Sequence, residues 1–208
     1  MASKIKKILL AATAICLLLI IAMFCAAWPY RSGIPVLNYH QINDSAHNAL
    51  TVNSKQFEAQ MKYLTDEGYH TITPYELSEA MENGSPLPEK PVVITFDDGY
   101  LDNYNNAFPI LKKYNMKATI FLISDYVGVY PNYLTWDKAL EMQEHQIDLE
   151  SHTLNHVELT KTGSADETLH QLIDSRRAIE WHLQKKVEFL AYPCGSYNAE
   201  VEELVKQA

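Results

Sequence analysis

From residue 34 onward, short apolar segments rich in β-branched and aromatic residues alternate with segments of helical periodicity. The apolar segments are nearly continuous rather than strictly alternating, which is typical of strands that are buried on both faces of a parallel sheet. The pattern therefore predicts an α/β fold in which helices cover a parallel sheet. Six strands are predicted, at residues 35–39, 69–73, 92–96, 118–123, 147–150 and 189–192.

The segments between these strands contain helix start signals. Thr73 is a suitable N-cap, and the proline that follows it suits the first helical position. Ser164 and Glu167 have the spacing of a capping box, which predicts a helix that reaches about residue 185. A last helix is predicted over residues 198–206.

Six strands with helical crossovers favour an α/β barrel over an open dinucleotide-binding sheet, because no Gly-x-Gly-x-x-Gly motif follows a strand. The last predicted helix is not followed by a strand, and a barrel of six strands would have open edges. We therefore expect the sequence to be a fragment that lacks one or two βα units at its C-terminus.

The N-terminus has a different pattern. Residues 8–27 are uncharged and follow three lysines, and Trp28 and Tyr30 come next. Twenty helical residues span roughly 30 Å, the thickness of a bilayer core, and aromatic rings favour the membrane interface. Residues 1–30 are thus predicted to be a membrane segment, and residues 31–208 an exported domain.

Two interpretations of this segment remain open. A signal peptide has an apolar core of about 7–15 residues, and this run is longer, which favours an uncleaved single-pass anchor with an extracellular domain. The alternative is a domain secreted after cleavage.

The composition and net charge of the chain limit the classes of function that it can have. The 208 residues are 47% hydrophobic and 21% charged, which is typical of a globular protein of one or at most two domains. The net charge is −9, and all 26 acidic residues lie beyond the N-terminal segment. Because nucleic-acid binding requires a basic surface, we expect no nucleic-acid partner.

Two polar clusters follow predicted strands, at the edge where a βα barrel carries its functional residues. Asp97 and Asp98 come directly after the strand at 92–96. His152 and His156 follow the strand at 147–150, and one helical turn would place both imidazoles on one face.

Together, two histidines and one aspartate match the two-His-one-carboxylate arrangement, which leaves open positions on a divalent metal. The second aspartate would be free to act as a base beside the metal. This favours metal-assisted hydrolysis over the other chemistry of such sites, that of non-haem iron oxygenases.

The two clusters also belong to longer motifs. Residues 95–99 (Thr-Phe-Asp-Asp-Gly) and 151–156 (Ser-His-Thr-Leu-Asn-His) resemble the first two motifs of the polysaccharide deacetylases, carbohydrate esterase family 4. Residues 191–198 resemble the third motif. Residues 33–41 resemble the opening of the branch that acts on poly-N-acetylglucosamine, so that the resemblance covers residues 33–208.

The resemblance implies a distorted (β/α)7 barrel that removes acetyl groups from polymers of N-acetylglucosamine or, in some members, from O-acetylated xylan. It implies that Asp97 is the general base and that Asp98, His152 and His156 bind the metal. Zn²⁺ suits these ligands best, and Co²⁺, Ni²⁺ or Mn²⁺ would also fit.

The sequence departs from the family pattern at Ala191, where many members have an arginine that orients the base; the poly-N-acetylglucosamine branch often lacks it. A tryptophan and a general-acid histidine of the later motifs are expected beyond Ala208. Three further residues are candidates for substrate binding: His40, Tyr192 and Pro193.

The leading hypothesis is a membrane-anchored hydrolase that removes N-acetyl groups from a cell-surface or extracellular glycan, such as a biofilm polysaccharide. One alternative is an inactive, anchored glycan-binding module. Another is a structural membrane protein without a site, which would not bind metal tightly.

Overall fold

The computed structural model of the protein describes residues 15–16, 33–46 and 48–208. Residues Val36–Ala208 form one compact unit. The strands of the described residues are β1 (Val36–Tyr39), β2 (Gln41–Ile42), β3 (Thr51–Val52), β4 (His70–Ile72), β5 (Pro91–Phe96), β6 (Ala118–Leu122) and β7 (Ile147–Ser151).

The main sheet has five strands and is parallel throughout. Its pairing runs β1-β5-β6-β7, and β4 also pairs with β5. The two short strands β2 and β3, which the sequence pattern did not predict, form a separate parallel pair. All strands of the main sheet therefore end at the same edge, which is the edge that carries the candidate site.

Six α-helices lie between residue 48 and the last residue. Both predicted N-caps are present, since Ser164 accepts a hydrogen bond from the backbone of the first turn and Thr73 forms a complete capping box with Glu76. Asn53 caps a further helix in the same way as Ser164. At Ser164 the box is incomplete, because Glu167 bonds the N–H of Gly163 instead. The helices are α1 (Ser54–Asp66), α2 (Pro74–Asn83), α3 (Phe108–Lys113), α4 (Trp136–Gln143), α5 (Ala165–Leu183) and α6 (Ala199–Gln207).

The core lies between the sheet and the helices. Every residue of β6 is buried, as is every residue of β5 after Pro91, which explains their continuous apolar sequences. Tyr39, Phe57 and Phe96 pack together with ring centroids 5.1–5.8 Å apart, and they join α1 to the sheet. Because Tyr39 and Phe96 are the last residues of β1 and β5, the packing of these rings stabilises the carboxyl ends of both strands.

Five of the six predicted strands form, and the prediction for residues 189–192 is wrong. That segment makes only an isolated bridge between Leu190 and Ser151 at the end of β7. Two backbone hydrogen bonds with Ser151 close this bridge, and a side chain holds the start of the segment, because the Glu150 carboxylate accepts the N–H groups of Glu188 and Phe189. The parallel α/β fold is confirmed, whereas barrel closure stays a prediction, since no pair joins β7 to β1 among the described residues.

The predicted membrane segment falls almost entirely outside the described residues. Within the part of the chain that the structure describes, no helix is both long enough and apolar enough to cross a bilayer. The division after residue 30 therefore stays a prediction from the sequence.

Candidate metal centre

The turn after β5 presents two carboxylates in different directions. Asp98 has a φ of +74° and Gly99 a φ of +76°, so the chain reverses sharply at these two residues. A Cβ on Gly99 would lie 2.7 Å from a side-chain carbon of Leu122, which shows how closely the turn packs against β6. The Asp98 side chain is 9% exposed, and a buried carboxylate requires a partner.

The two histidines converge through a turn rather than through the helical turn that their spacing predicted. β7 ends at Ser151, and both Thr153 and His156 have positive φ angles, of +67° and +63°. The Thr153 hydroxyl accepts the N–H of His156 at 3.1 Å and closes the turn. The N–H of His152 donates to the carbonyl of Leu122 at 2.8 Å, so this turn is attached to the end of β6.

Asp98 lies between the two imidazoles. Its Oδ1 is 3.5 Å from Nε2 of His152 and 3.4 Å from Nε2 of His156. One ligand atom from each of the three residues lies within 4.8 Å of the others. The three predicted metal ligands are thus together, and His156, with a side chain one-third exposed, borders solvent.

The protonation of His152 suits a metal ligand. Nδ1 is 2.9 Å from the carbonyl of Ala191, so the assigned tautomer donates from Nδ1 and turns the Nε2 lone pair towards Asp98. Burial lowers the pKa of His152, although Asp97 and Asp98 oppose the shift, so the neutral ring is favoured. Asp98 Oδ1 is itself buried and receives no hydrogen bond from any residue that the structure describes, and a divalent cation would satisfy it and both rings.

Asp97 lies beside this group but has its own contacts. Its N–H donates to the carbonyl of Tyr39 at 2.9 Å, which ties the turn to the end of β1. Its Oδ2 accepts a hydrogen bond from Nδ2 of Asn38 at 2.9 Å and lies 3.8 Å from Nε2 of His40. The structure thus separates one carboxylate that faces His152 and His156 from one that faces Asn38 and His40. The role of Asp97 as the base stays a prediction.

His40 is held at this edge by the segment that precedes α3. Asn103, which is fully buried, donates from Nδ2 to the His40 carbonyl at 2.7 Å. Asn103 begins a π-helical stretch, Asn103–Ala107, and such stretches occur frequently at functional sites. The neighbouring Asp102 accepts the N–H of Ile42, and its own pKa is raised by burial.

The other two candidates for substrate binding lie in the third motif. Tyr192 is half-buried, stacks on Tyr197 with centroids 5.2 Å apart, and packs against the apolar cluster of α5 and α6. Pro193 is buried and begins a short 3₁₀ turn, Pro193–Gly195. What the segment contributes to the metal group is the carbonyl of Ala191, so a substrate contact of Tyr192 or Pro193 stays a prediction.

Sequence reasoning missed Asn38. The signal was available, because side chains two residues apart in a strand point to the same face, and Asn38 stands two residues before His40. The Ala191 carbonyl was also missed, and no sequence pattern would have found it, since every residue has one.

A parallel α/β fold with an Asp-His-His group at the carboxyl ends of its strands defines a class of metal-binding α/β proteins. Residues 84–208 match the model of one family in that class, described as polysaccharide deacetylase. The chain belongs to this family, and the resemblance seen in its motifs is confirmed.

Two relatives illustrate the similarity. The protein YxkH of Bacillus subtilis (strain 168) is 43% identical over 175 residues, which are 84% of this chain and 60% of that protein. The poly-β-1,6-N-acetyl-D-glucosamine N-deacetylase of Staphylococcus aureus (strain N315) is 30% identical over 171 residues, 76% of this chain and 58% of the relative. The chain therefore spans about three-fifths of the length of these relatives.

Among solved structures, the Streptococcus pyogenes deacetylase PplD, in complex with acetate, superposes with a TM-score of 0.80 at 33% identity. The match covers 84% of this chain and 79% of PplD. The parallel fold described above is thus the fold of a deacetylase from the same family.

Proposed function

We propose that the protein is a metal-dependent deacetylase that removes N-acetyl groups from a polymer of N-acetylglucosamine. The main support is the convergence of Asp98, His152 and His156 beside a second carboxylate, Asp97, which is not part of that group. A hydrolase needs both functions, one set of residues to bind the metal and one group to accept a proton.

The substrate class is inferred from relatives. The staphylococcal relative is named for poly-β-1,6-N-acetyl-D-glucosamine, and the streptococcal one was solved with acetate, the product of deacetylation. Residues 33–41 also resemble the opening of that branch. We therefore favour an N-acetylated glycan over O-acetylated xylan.

The proposed metal is Zn²⁺, held by Asp98, His152 and His156. One carboxylate and two imidazoles suit Zn²⁺ and leave a position open for water and substrate. When bound, a divalent ion supplies Lewis acidity, which polarises a carbonyl and makes water easier to deprotonate.

The residues of the chain perform the remaining steps. His152 and Asp98 are buried and fix the site, whereas the more exposed His156 borders the side from which a glycan would approach. Asp97 accepts a proton from water. The protonated Asp97 then holds that proton close to the scissile amide.

We further propose that this chemistry takes place outside the cell, on a protein anchored in the membrane. The support is the uncharged sequence of residues 8–27 behind three lysines.

The decisive experiment measures acetate release from N-acetylglucosamine oligomers and from acetylated xylan, with and without chelator. Asp97→Asn should lower turnover by about 10²–10⁴-fold at unchanged metal content, because it removes a general base. Asp98→Asn should lower both turnover and metal content, because it removes a ligand.

Metal content in the double variant His152→Ala, His156→Ala tests the site directly. Elemental analysis should find the metal lost, whereas His170→Ala, His182→Ala, which alters two exposed histidines on α5, should retain it. Full metal retention in the first variant contradicts the site, and near-normal acetate release by Asp97→Asn contradicts the proposed base.

A further inference from the structure

The Asp97 carboxylate is oriented by an amide rather than by a cation. Among the described residues, the ion pairs of Asp97 include no lysine or arginine, and the nearest ring nitrogen, Nε2 of His40, is 3.8 Å away. The direct hydrogen bond comes from Nδ2 of Asn38 to Oδ2 of Asp97, at 2.9 Å. Asn38 thus determines where this carboxylate points.

The amide of Asn38 is itself held by Thr95. The two residues are paired in the register of β1 and β5, and the Thr95 hydroxyl donates to Oδ1 of Asn38 at 3.1 Å. If the amide were flipped, its carbonyl oxygen would face the Asp97 carboxylate, and two acceptors would oppose each other. The NH₂ group of Asn38 is therefore directed towards Asp97.

The relay from Thr95 to Asn38 to Asp97 starts from a rigid element. Thr95 is 6% exposed and lies in β5, where every residue after Pro91 is buried, whereas the carboxylate at the other end of the relay is 15% exposed. A general base must be held in its reactive position before the substrate binds. The hydrogen bonds from Thr95 to Asn38 and from Asn38 to Asp97 can hold Asp97 in this way, because they fix it to the rigid strand β5.

We propose that Asn38, oriented by Thr95, is a positioning residue that holds Asp97 in the geometry for accepting a proton. The role of Asp97 as a base rests on the proposed function. The position of Asp97 rests only on the hydrogen bonds. Asn38 acts through Asp97 and does not touch the candidate metal ligands in the described contacts.

The kinetic test uses the complete protein and Asn38→Leu, which has similar size and no amide. The turnover number kcat should fall about 10-fold, because small displacements of a catalytic group have effects of this order. KM and metal content should stay within about twofold, since neither substrate binding nor the ligands change. Asn83→Leu is the matched control, because it removes an amide that bonds the Glu79 carboxylate on the exposed helix α2.

Thr95→Val tests the relay while preserving side-chain shape, and it remains informative if Asn38→Leu fails to fold. It should lower kcat about threefold, and the double variant with Asn38→Leu should be no slower than Asn38→Leu alone, because the two residues act in series. Likewise, adding Asn38→Leu to Asp97→Asn should cause no further loss. Additive losses in these combinations overturn the proposal.

A second readout does not depend on activity. Crystal structures of the zinc-loaded protein and of both single variants should show Asp97 in one conformer in the original chain and rotated or split in the variants. An unchanged Asp97 overturns the positioning role, whatever the kinetics. If the original chain releases no acetate from any glycan, the proposed function fails, and the conformation of Asp97 still decides whether Asn38 positions it.

Discussion

At the scale of single residues, burial determines the chemistry of His152. The side chain is 3% exposed, and its Nδ1 bonds the carbonyl of Ala191. Removing an imidazole from water disfavours its charged form, so the pKa of His152 is lowered. The same burial that prepares a neutral metal ligand also makes stability depend on pH.

The metal-free protein should become less stable on acidification. In the unfolded chain the imidazole of His152 takes up a proton near pH 6.5, whereas in the folded chain it resists protonation. The unfolded state then binds more protons, so the free energy of unfolding falls as the pH drops below about 6.5, by up to ~1.4 kcal/mol per pH unit.

Urea denaturation in chelator, at a series of pH values from 7.5 to 5.5, measures this effect. His152→Gln should weaken the pH dependence, because glutamine does not titrate. His70→Gln is the control, since His70 is exposed and also contacts a backbone carbonyl, that of Glu89 at 2.9 Å. Equal pH dependence in the original chain and His152→Gln would contradict the role of burial.

At the scale of elements, the site depends on how turns pack against neighbouring strands. The turn at Asp98 and Gly99 lies against Leu122, the last residue of β6. The segment after α5 is joined to β7 through Glu150, whose side chain accepts two backbone N–H groups and the ammonium of Lys185. The first connection places the candidate ligand Asp98 at the edge of the sheet. The second leads to the carbonyl of Ala191, which bonds the candidate ligand His152.

Gly99→Ala should destabilise the protein by about 2 kcal/mol, through both its positive φ and the added contact with Leu122. Gly68→Ala is the matched control, because Gly68 also has a positive φ, +73°, but has open space around it, and it should cost about 1 kcal/mol. Thermal or urea denaturation measures both losses. Equal losses of stability in the two variants would show that the close contact between Gly99 and Leu122 adds no cost to the substitution.

Glu150→Gln should lower the free energy of unfolding by about 2 kcal/mol, because it weakens three charge-assisted hydrogen bonds in a buried position. Metal affinity should fall as well, since the anchored segment continues to the Ala191 carbonyl that orients His152.

Glu158→Gln is the control for this variant. It removes a charge from an exposed pair with Lys161, and such pairs contribute at most about 1 kcal/mol. Urea denaturation and metal titration of both variants provide the comparison. Unchanged stability of Glu150→Gln would mean that the segment holds its position without this carboxylate.

At the scale of the whole molecule, charge and hydrophobicity are segregated along the chain. The N-terminal 27 residues contain three lysines and no acidic residue, whereas the rest of the chain contains all 26 acidic residues. This asymmetry matches a basic cytoplasmic end and an acidic exported domain.

The intact protein should therefore sediment with membranes. Cell fractionation combined with N-terminal sequencing measures this, and Leu18→Asp should weaken retention because an acidic residue in mid-membrane costs about 2.5–3.5 kcal/mol. Recovery of a soluble product that begins near Trp28 would show cleavage and leave only the prediction of export.

The sequence by itself determined the features that depend on short-range patterns. Continuous apolar runs predicted β5 and β6, because strands covered on both faces carry mostly apolar side chains on both, and the single threonine in each is buried as well. Capping residues predicted helix starts at Thr73 and Ser164, because a cap bonds atoms within three residues of itself. The motif residues were recognised for the same reason, since each motif is one short segment.

Only the tertiary structure decided how the segments meet. The spacing of the two histidines predicted a helical turn, whereas packing against β6 stabilises positive φ angles at Thr153 and His156. Segment 189–192 was predicted to be a strand, but it forms only a single bridge to the end of β7, and a buried carboxylate of β7 holds its start. Likewise, the hydrogen bond between Asn38 and Asp97 joins residues 59 positions apart, and their contact follows from the register of two parallel strands, which no local pattern specifies.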